Sequence, residues 1–283
     1  MTQAQVYTAA RVIEGAGFVV QRPIPGPDLS ALGPFILLDH IGPIDIPAGQ
    51  AVGAPTHPHA GIETLSYFIE GSGLHYDSLG NRAITGPGEV QWMRAGRGII
   101  HDEGPDDEMI RHGGRSHMVQ LWLNMPGETK LDEPDYRSFT RDMIPHVSLG
   151  SNGSARLIIG SLGEVVGPLE TYGNPFLAHG IFSALGSCKL DLPPLNQFGV
   201  FVLSGEATVN GTRIGADQLA VLSPSSQLQI RAHAETQFLL IGGDRIADEL
   251  VRRGPFVANS DAHMQRIITD YQRGSFGQLH KDV

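Results

Sequence analysis

The sequence predicts an all-β protein made of two related barrels, and three observations lead there. Its apolar runs are short, each bounded by Gly, Pro, Asn or Asp. With 36 glycines and 19 prolines in 283 residues, turns are plentiful and long helices are disfavoured. One order of strands and turns is also written twice along the chain.

In the first half the expected strands are Phe35-Ile36-Leu37-Leu38, Thr64 to Ile69, Glu89 to Met93 and Met118 to Leu123. In the second they are Arg156 to Ile159, Gly199 to Leu203, Leu219 to Leu222 and Phe238 to Ile241. Hairpin turns are expected at Ser78-Leu79-Gly80-Asn81 and Val209-Asn210-Gly211-Thr212, where Asn-Gly suits the positive φ values of a type I′ turn. The repeat runs strand, Gly turn, hairpin, Gly-Asp/Glu turn, strand: Glu70-Gly71 and Gly88-Glu89 in one copy, Ser204-Gly205 and Ala216-Asp217 in the other. The join falls in the polar, Pro-bearing stretch from Met125 to Pro145, and the division is placed at residues 1–135 and 136–283. One helix is expected, from Ala262 to Gln272, capped by Ser260-Asp261, ended by Gly274 and docking through Ile267, Ile268 and Tyr271.

A formal charge of −10 and the lack of a Lys/Arg run argue against direct nucleic-acid or anionic-membrane binding. The single cysteine, Cys188, allows no intramolecular disulfide and is expected to be a buried, inert thiol. No apolar run is long enough to span a bilayer, and the first residues lack the pattern of a signal peptide. A cytoplasmic monomer is the expectation.

Two motifs carry chemistry. His57-Pro58-His59 places two imidazoles on one face of a strand, because i and i+2 point the same way. His101-Asp102-Glu103 repeats the spacing with an imidazole and a carboxylate. Three nitrogens and one oxygen suit a single divalent metal, Fe(II), Mn, Co, Ni, Cu or Zn, with coordination positions left open. Glu63, four residues beyond His59, shares its parity, so spacing alone does not choose between Glu63 and Glu103. His75 and Asp77 form another same-face pair beside a hairpin turn and are read as settling that turn or a barrel mouth, not as ligands. His40, Asp39, His117 and Gln120 could face a pocket, with satisfied core or rim roles the ordinary outcome. The second half has no comparable H-x-H or H-x-E.

These segments resemble the pirin family of bicupins. The resemblance rests on His57 to Thr64, on the run Gly86-Pro87-Gly88-Glu89-Val90-Gln91-Trp92-Met93 and on Ala95-Gly96-Arg97-Gly98-Ile99-Ile100-His101-Asp102-Glu103. Gln120 to Pro126, Gly254 to Asn259 and Asp270 to Gly277 extend it over nearly the whole chain. It implies two cupin barrels facing each other, with a metal in the N-terminal one only. It places the ligands on His57, His59, His101 and Glu103, and so removes Glu63. It also implies an iron-like divalent metal, Fe(II) foremost, and quercetin 2,3-dioxygenase chemistry on a flavonol or similar enediol or phenol with O2. Glu103 then doubles as ligand and base. The alternative it implies is a metal- or redox-dependent regulator that binds a transcription factor or a metabolic enzyme. Two departures stand out: Tyr136-Arg137 in place of the usual Tyr-Gln, and Gly104 where a Met is commoner, which is expected to widen the pocket.

Overall fold

A computed structural model describes residues 4–14, 17–223 and 227–279. Strands dominate, and the contacts group the chain into two compact units. One unit holds residues 1–10, 21–38 and 142–246; the other holds 11–20, 39–141 and 247–283. The sequence reading divides the chain once, at 135/136. The structure instead changes unit at 141/142 and gives each unit a piece from the far end of the chain. Asp135–Phe139, inside the supposed join, is a strand that pairs with Val90–Arg94 and so belongs to the first-half barrel. Its polar surface and flanking prolines suit an edge strand as well as a linker, which is why composition misplaces it.

Each unit is a pair of antiparallel sheets of the cupin type. One sheet runs Asp135–Phe139, Val90–Arg94, Ile62–Glu70, Gly114–Asn124, Phe35–Ile46, Phe18–Ile24, Ala10–Glu14; all of it but residues 10, 21–24 and 35–38 lies in the first-half unit. The other runs Ala54–His59, Ile99–Gly104, Gly73–Asp77, Arg82–Thr85. The second-half barrel repeats the four-strand order with Gly186–Asp191, Gln227–Ala232, Glu206–Val209 and Thr212–Gly215. The duplication read from the turns is thus present as repeated topology. Every expected apolar run lies in a strand, save that the run from Glu89 starts at Val90. Asn210 (φ 45°) and Gly211 (φ 86°) make the turn at Val209–Thr212 with two positive φ values, as Asn-Gly favours.

The interiors of the two barrels differ in kind. In the second, Cys188 pairs with Ile230 and Ile230 with Val209, and all three belong to one apolar core. On its facing sheet the rung Ala220–Val200–Leu240 is apolar too. The matching rungs of the first barrel are polar, as described below.

The C-terminal helix spans Asp261–Gln272 as expected, with the Ser260 hydroxyl accepting from the His263 amide at 3.2 Å. Met264 and Ile267 are its buried residues, and they pack with Ala60, Phe256, Ala258 and Phe276 on the first-half barrel. A second helix, Asp107–His112, is not anticipated by the sequence reading. Asp106 caps it through the Met109 amide at 2.8 Å, and Gly113 ends it at φ 66°. Among the described residues no helix is long and apolar enough to cross a membrane.

Candidate metal centre

The four-stranded sheet of the first-half barrel presents its polar residues in register. His101 lies opposite His57 on one side and Asp77 on the other, and Glu103 lies opposite His75. Between His101 and Glu103 the register to Ala54–His59 slips by one residue, a bulge at Pro55-Thr56. Bulges tolerate proline and leave a backbone group unpaired. Here the Pro55 carbonyl accepts a hydrogen bond from His57 Nδ1 at 2.7 Å.

Three imidazoles converge. His57 Nε2 lies 3.1 Å from His59 Nε2 and 3.0 Å from His101 Nε2. Ligand atoms about 2.1 Å from a common ion, at right angles, stand about 3 Å apart, so this spacing fits a metal. The back nitrogens strengthen the case. His59 Nδ1 donates to the Pro255 carbonyl at 3.1 Å, as His57 Nδ1 does to Pro55. With Nδ1 protonated, each Nε2 turns a lone pair toward the same point, an arrangement a cation stabilises. Burial, then the neighbouring His57, pulls the His59 pKa down to about 3, so its ring stays neutral at ordinary pH. His101 is fully buried and is pushed well below the usual range, by burial and then by His59 and His57. Among the described residues its Nδ1 has no hydrogen-bond partner. The residues present therefore fit a divalent ion.

Glu103 sits at the edge of this cluster. Its ligand oxygen groups within 4.8 Å of His75 and His101 nitrogens, while His57, His59 and His101 form a grouping of their own. Its carboxylate is aimed across the barrel at one rung of the facing sheet, where Gln91, Ser66 and Gln120 stand side by side on three adjacent strands. Gln91 Nε2 and Ser66 Oγ (3.3 Å) donate to one oxygen, and Gln120 Nε2 donates to the other at 3.1 Å. Each carboxylate oxygen has two lone pairs, so the first is fully engaged and the second, bonded by Gln120, keeps one for a metal bond.

Glu63 belongs to neither grouping. The parity shared with His59 breaks at Gly61, whose φ of +73° turns the chain out of one sheet and into the other. Asp77 does shape its turn, accepting from the Leu79 and Asn81 amides at 2.9 and 3.0 Å. It also accepts from His75 Nε2 at 3.1 Å. His75 is buried, stacks on Tyr136 with ring centroids 4.2 Å apart and lines the polar interior. Gln120 faces a pocket as entertained from the sequence. His40 and His117 instead form a buried pair, Nε2 to Nε2 2.9 Å. Cys188 is a buried free thiol, its pKa raised to about 11 by burial.

Residues far along the chain complete the centre. Besides Pro255, Arg252 lies over the Trp122 ring at 4.7 Å, and Trp122 meets His59 edge-on at 4.9 Å. Lys130 is buried, and its ammonium donates to Gly61 O and Asn124 Oδ1, both at 2.6 Å. It thus pins the loop directly after His59.

A cavity of about 370 Å³ opens beside the cluster, with Glu103, Gln91, Ser66 and Gln120 in its wall. Phe18, Ile41, Phe68, Leu74 and Met118 also line it. Gly104 is part of this wall, and a Cβ added there would meet nothing within 4 Å, so its small size leaves the cavity wider.

Comparison with known proteins agrees with this architecture. The sequence model described as pirin matches residues 17–123, and that described as the pirin C-terminal cupin domain matches 181–277. A Pseudomonas aeruginosa protein named "Putative quercetin 2,3-dioxygenase" is 35% identical over 253 residues, 88% of each chain. Pirin-1 of Arabidopsis thaliana is 30% identical over 272 residues, 93% of this chain and 90% of that one. The crystal structure of quercetin 2,3-dioxygenase from Acinetobacter baumannii superposes with a TM-score of 0.92 at 30% identity, covering 99% of both chains.

Proposed function

The chain belongs to the pirin family, and from that premise we propose that it is a metal-dependent dioxygenase of the quercetin 2,3-dioxygenase type. Its substrates are a flavonol, or a similar enediol or phenol, and O2. His57, His59, His101 and Glu103 hold one divalent ion, Fe(II) foremost. The observation that carries this reading is the three-imidazole convergence at 3.0–3.1 Å beside an apolar cavity that has Glu103 in its wall.

When bound, the metal supplies Lewis acidity and open coordination positions for oxygen ligands. The chain's own residues do the rest. Pro55 and Pro255 carbonyls fix the tautomers of His57 and His59. The Gln91–Ser66–Gln120 rung aims the Glu103 carboxylate, which takes the proton of the substrate's enolic hydroxyl at Oε1 as the 3.3 Å Ser66 bond gives way. Apolar walls exclude water and hold a flat body.

Elemental analysis of natively purified protein identifies the ion. Metal-loaded protein mixed with quercetin should then consume oxygen as flavonol absorbance falls. Failure to turn over with any of Fe, Mn, Co, Ni or Cu rules the quercetinase form out.

A further inference from the structure

Resting on the dioxygenase reading, we infer that this site selects a planar enol-ketone whose oxygens lie along one edge, and that Gln91 and Gln120 read that edge. The polar groups of the cavity are not spread evenly. Glu103, Gln91, Ser66 and Gln120 form one continuous patch, because the two glutamines and the serine share a rung and all three donate to the same carboxylate. The Thr85 hydroxyl donates to Gln91 Oε1 at 3.2 Å, which fixes that amide with its NH2 toward Glu103. An amide NH2 has two hydrogens. One serves Glu103; the other is left for an oxygen arriving from the cavity. The patch therefore offers an acceptor for a hydroxyl and two donors for the neighbouring carbonyl or enolate oxygen.

The remaining wall offers a substrate little polar contact. Phe18, Ile41, Phe68, Leu74, Met109 and Met118 form much of it. Of the other polar groups, Asp45 is engaged by Arg115 at 3.3 Å and the Ser72 hydroxyl by Asp106 at 2.7 Å. Gln50 and Ser116 complete that set. Ile44 and Val52, 53% and 57% exposed, extend the apolar lining to solvent. A hydroxyl carried on the far rings and placed against Phe68 or the half-buried Phe18, Ile41, Leu74 and Met118 would leave water without a replacement bond. Quercetin carries such hydroxyls on both outer rings; 3-hydroxyflavone has the same hydroxy-ketone edge and bare rings.

The test is anaerobic binding of 3-hydroxyflavone, quercetin and flavone to metal-loaded protein, read by fluorescence or calorimetry. The expected result is 3-hydroxyflavone binding at least about tenfold more tightly than quercetin, a ratio set by the unmade hydrogen bonds. Flavone, which lacks the hydroxyl, should bind more weakly than 3-hydroxyflavone. Gln91→Leu and Gln120→Met should each weaken 3-hydroxyflavone about tenfold or more and weaken flavone as well, since flavone carries the carbonyl those amides read, with thermal melting of each variant as the control for an intact fold. Met118→Gln, on the opposite chemistry of wall, should narrow the gap by raising quercetin affinity. Quercetin binding as tightly as 3-hydroxyflavone, no binding of 3-hydroxyflavone, or indifference to both glutamine variants would each overturn the inference. Oxygen uptake on readmitting air separates the two readings: tight, glutamine-dependent binding without uptake sinks the dioxygenase assignment and leaves the selectivity standing.

Discussion

Glu103 is asked to do two things, and a substitution separates them. Glu103→Gln keeps the shape and the three imidazoles but removes the base. Metal content should fall modestly, whereas oxygen uptake should drop about 100-fold or more, the usual contribution of a general base. Equal turnover by the variant would show that Glu103 moves no proton. Lys130 makes a different prediction. Burial pulls its pKa from 10.5 down to about 8. The unfolded chain then holds more protons than the folded one between those two values, so stability rises as pH climbs through that window. Below about pH 8 the full penalty of the buried charge is present. At about 1.4 kcal/mol per unit of displacement, the gain is at most about 3–4 kcal/mol. Chemical denaturation of the wild type and of Lys130→Met between pH 7 and 10.5 checks this: the variant should lack the rise. At this scale the sequence was generous with the ligand candidates, because the i, i+2 rule acts within one strand and needs no tertiary knowledge. It could not say that His75 joins the interior or that Gln91, Ser66 and Gln120 meet on one rung, since register between strands distant in sequence is set by folding.

At the level of elements, the turn between the strand Ala54–His59 and the strand Ile62–Glu70 governs the centre. Gly61 has φ +73°, and a Cβ there would stand 1.9 Å from the Val257 carbonyl oxygen. That oxygen is backbone in a segment tied to Ala60 by the Val257 amide at 3.0 Å, so it cannot yield cheaply. Gly61→Ala should cost more than about 1 kcal/mol through the left-handed backbone alone, with the clash added. It should also weaken metal binding by shifting His59; thermal melting and metal titration read the two effects. The glycine was visible in the sequence as part of His-Ala-Gly-Ile-Glu, but periodicity carried the parity of His59 straight through it to Glu63. A single residue at positive φ is enough to break that count.

For the molecule as a whole, the piece from Ala247 to Val283 belongs to the same unit as the centre. Within it Pro255 orients His59, Phe276 accepts from the Ser78 hydroxyl at 2.6 Å, and the Phe276 ring stands where Gly98 has no side chain. Phe276→Ala, at a buried aromatic, should cost about 3–5 kcal/mol of stability. A chain ending at Ile246 should lose metal affinity along with stability, whereas the apolar second-half core, which draws nothing from that piece, should stay protected in hydrogen exchange. Simultaneous loss of protection in both barrels would show them to be one cooperative unit.

By itself the sequence determined the strand content, the duplication, the C-terminal helix and the same-face pairing of His57 with His59 and of His101 with Glu103. All of these depend on local spacing, turn chemistry or capping. Only the tertiary structure decided that the chain ends exchange units, that Asp135–Phe139 is a strand of the first-half barrel, and that Glu103 is aimed by a rung of the facing sheet. The reason is physical. Periodicity reports which way a side chain points from its own strand, whereas partners, bulges and docked tails are chosen by contacts between segments far apart in the chain, whose gain appears only when the barrel closes.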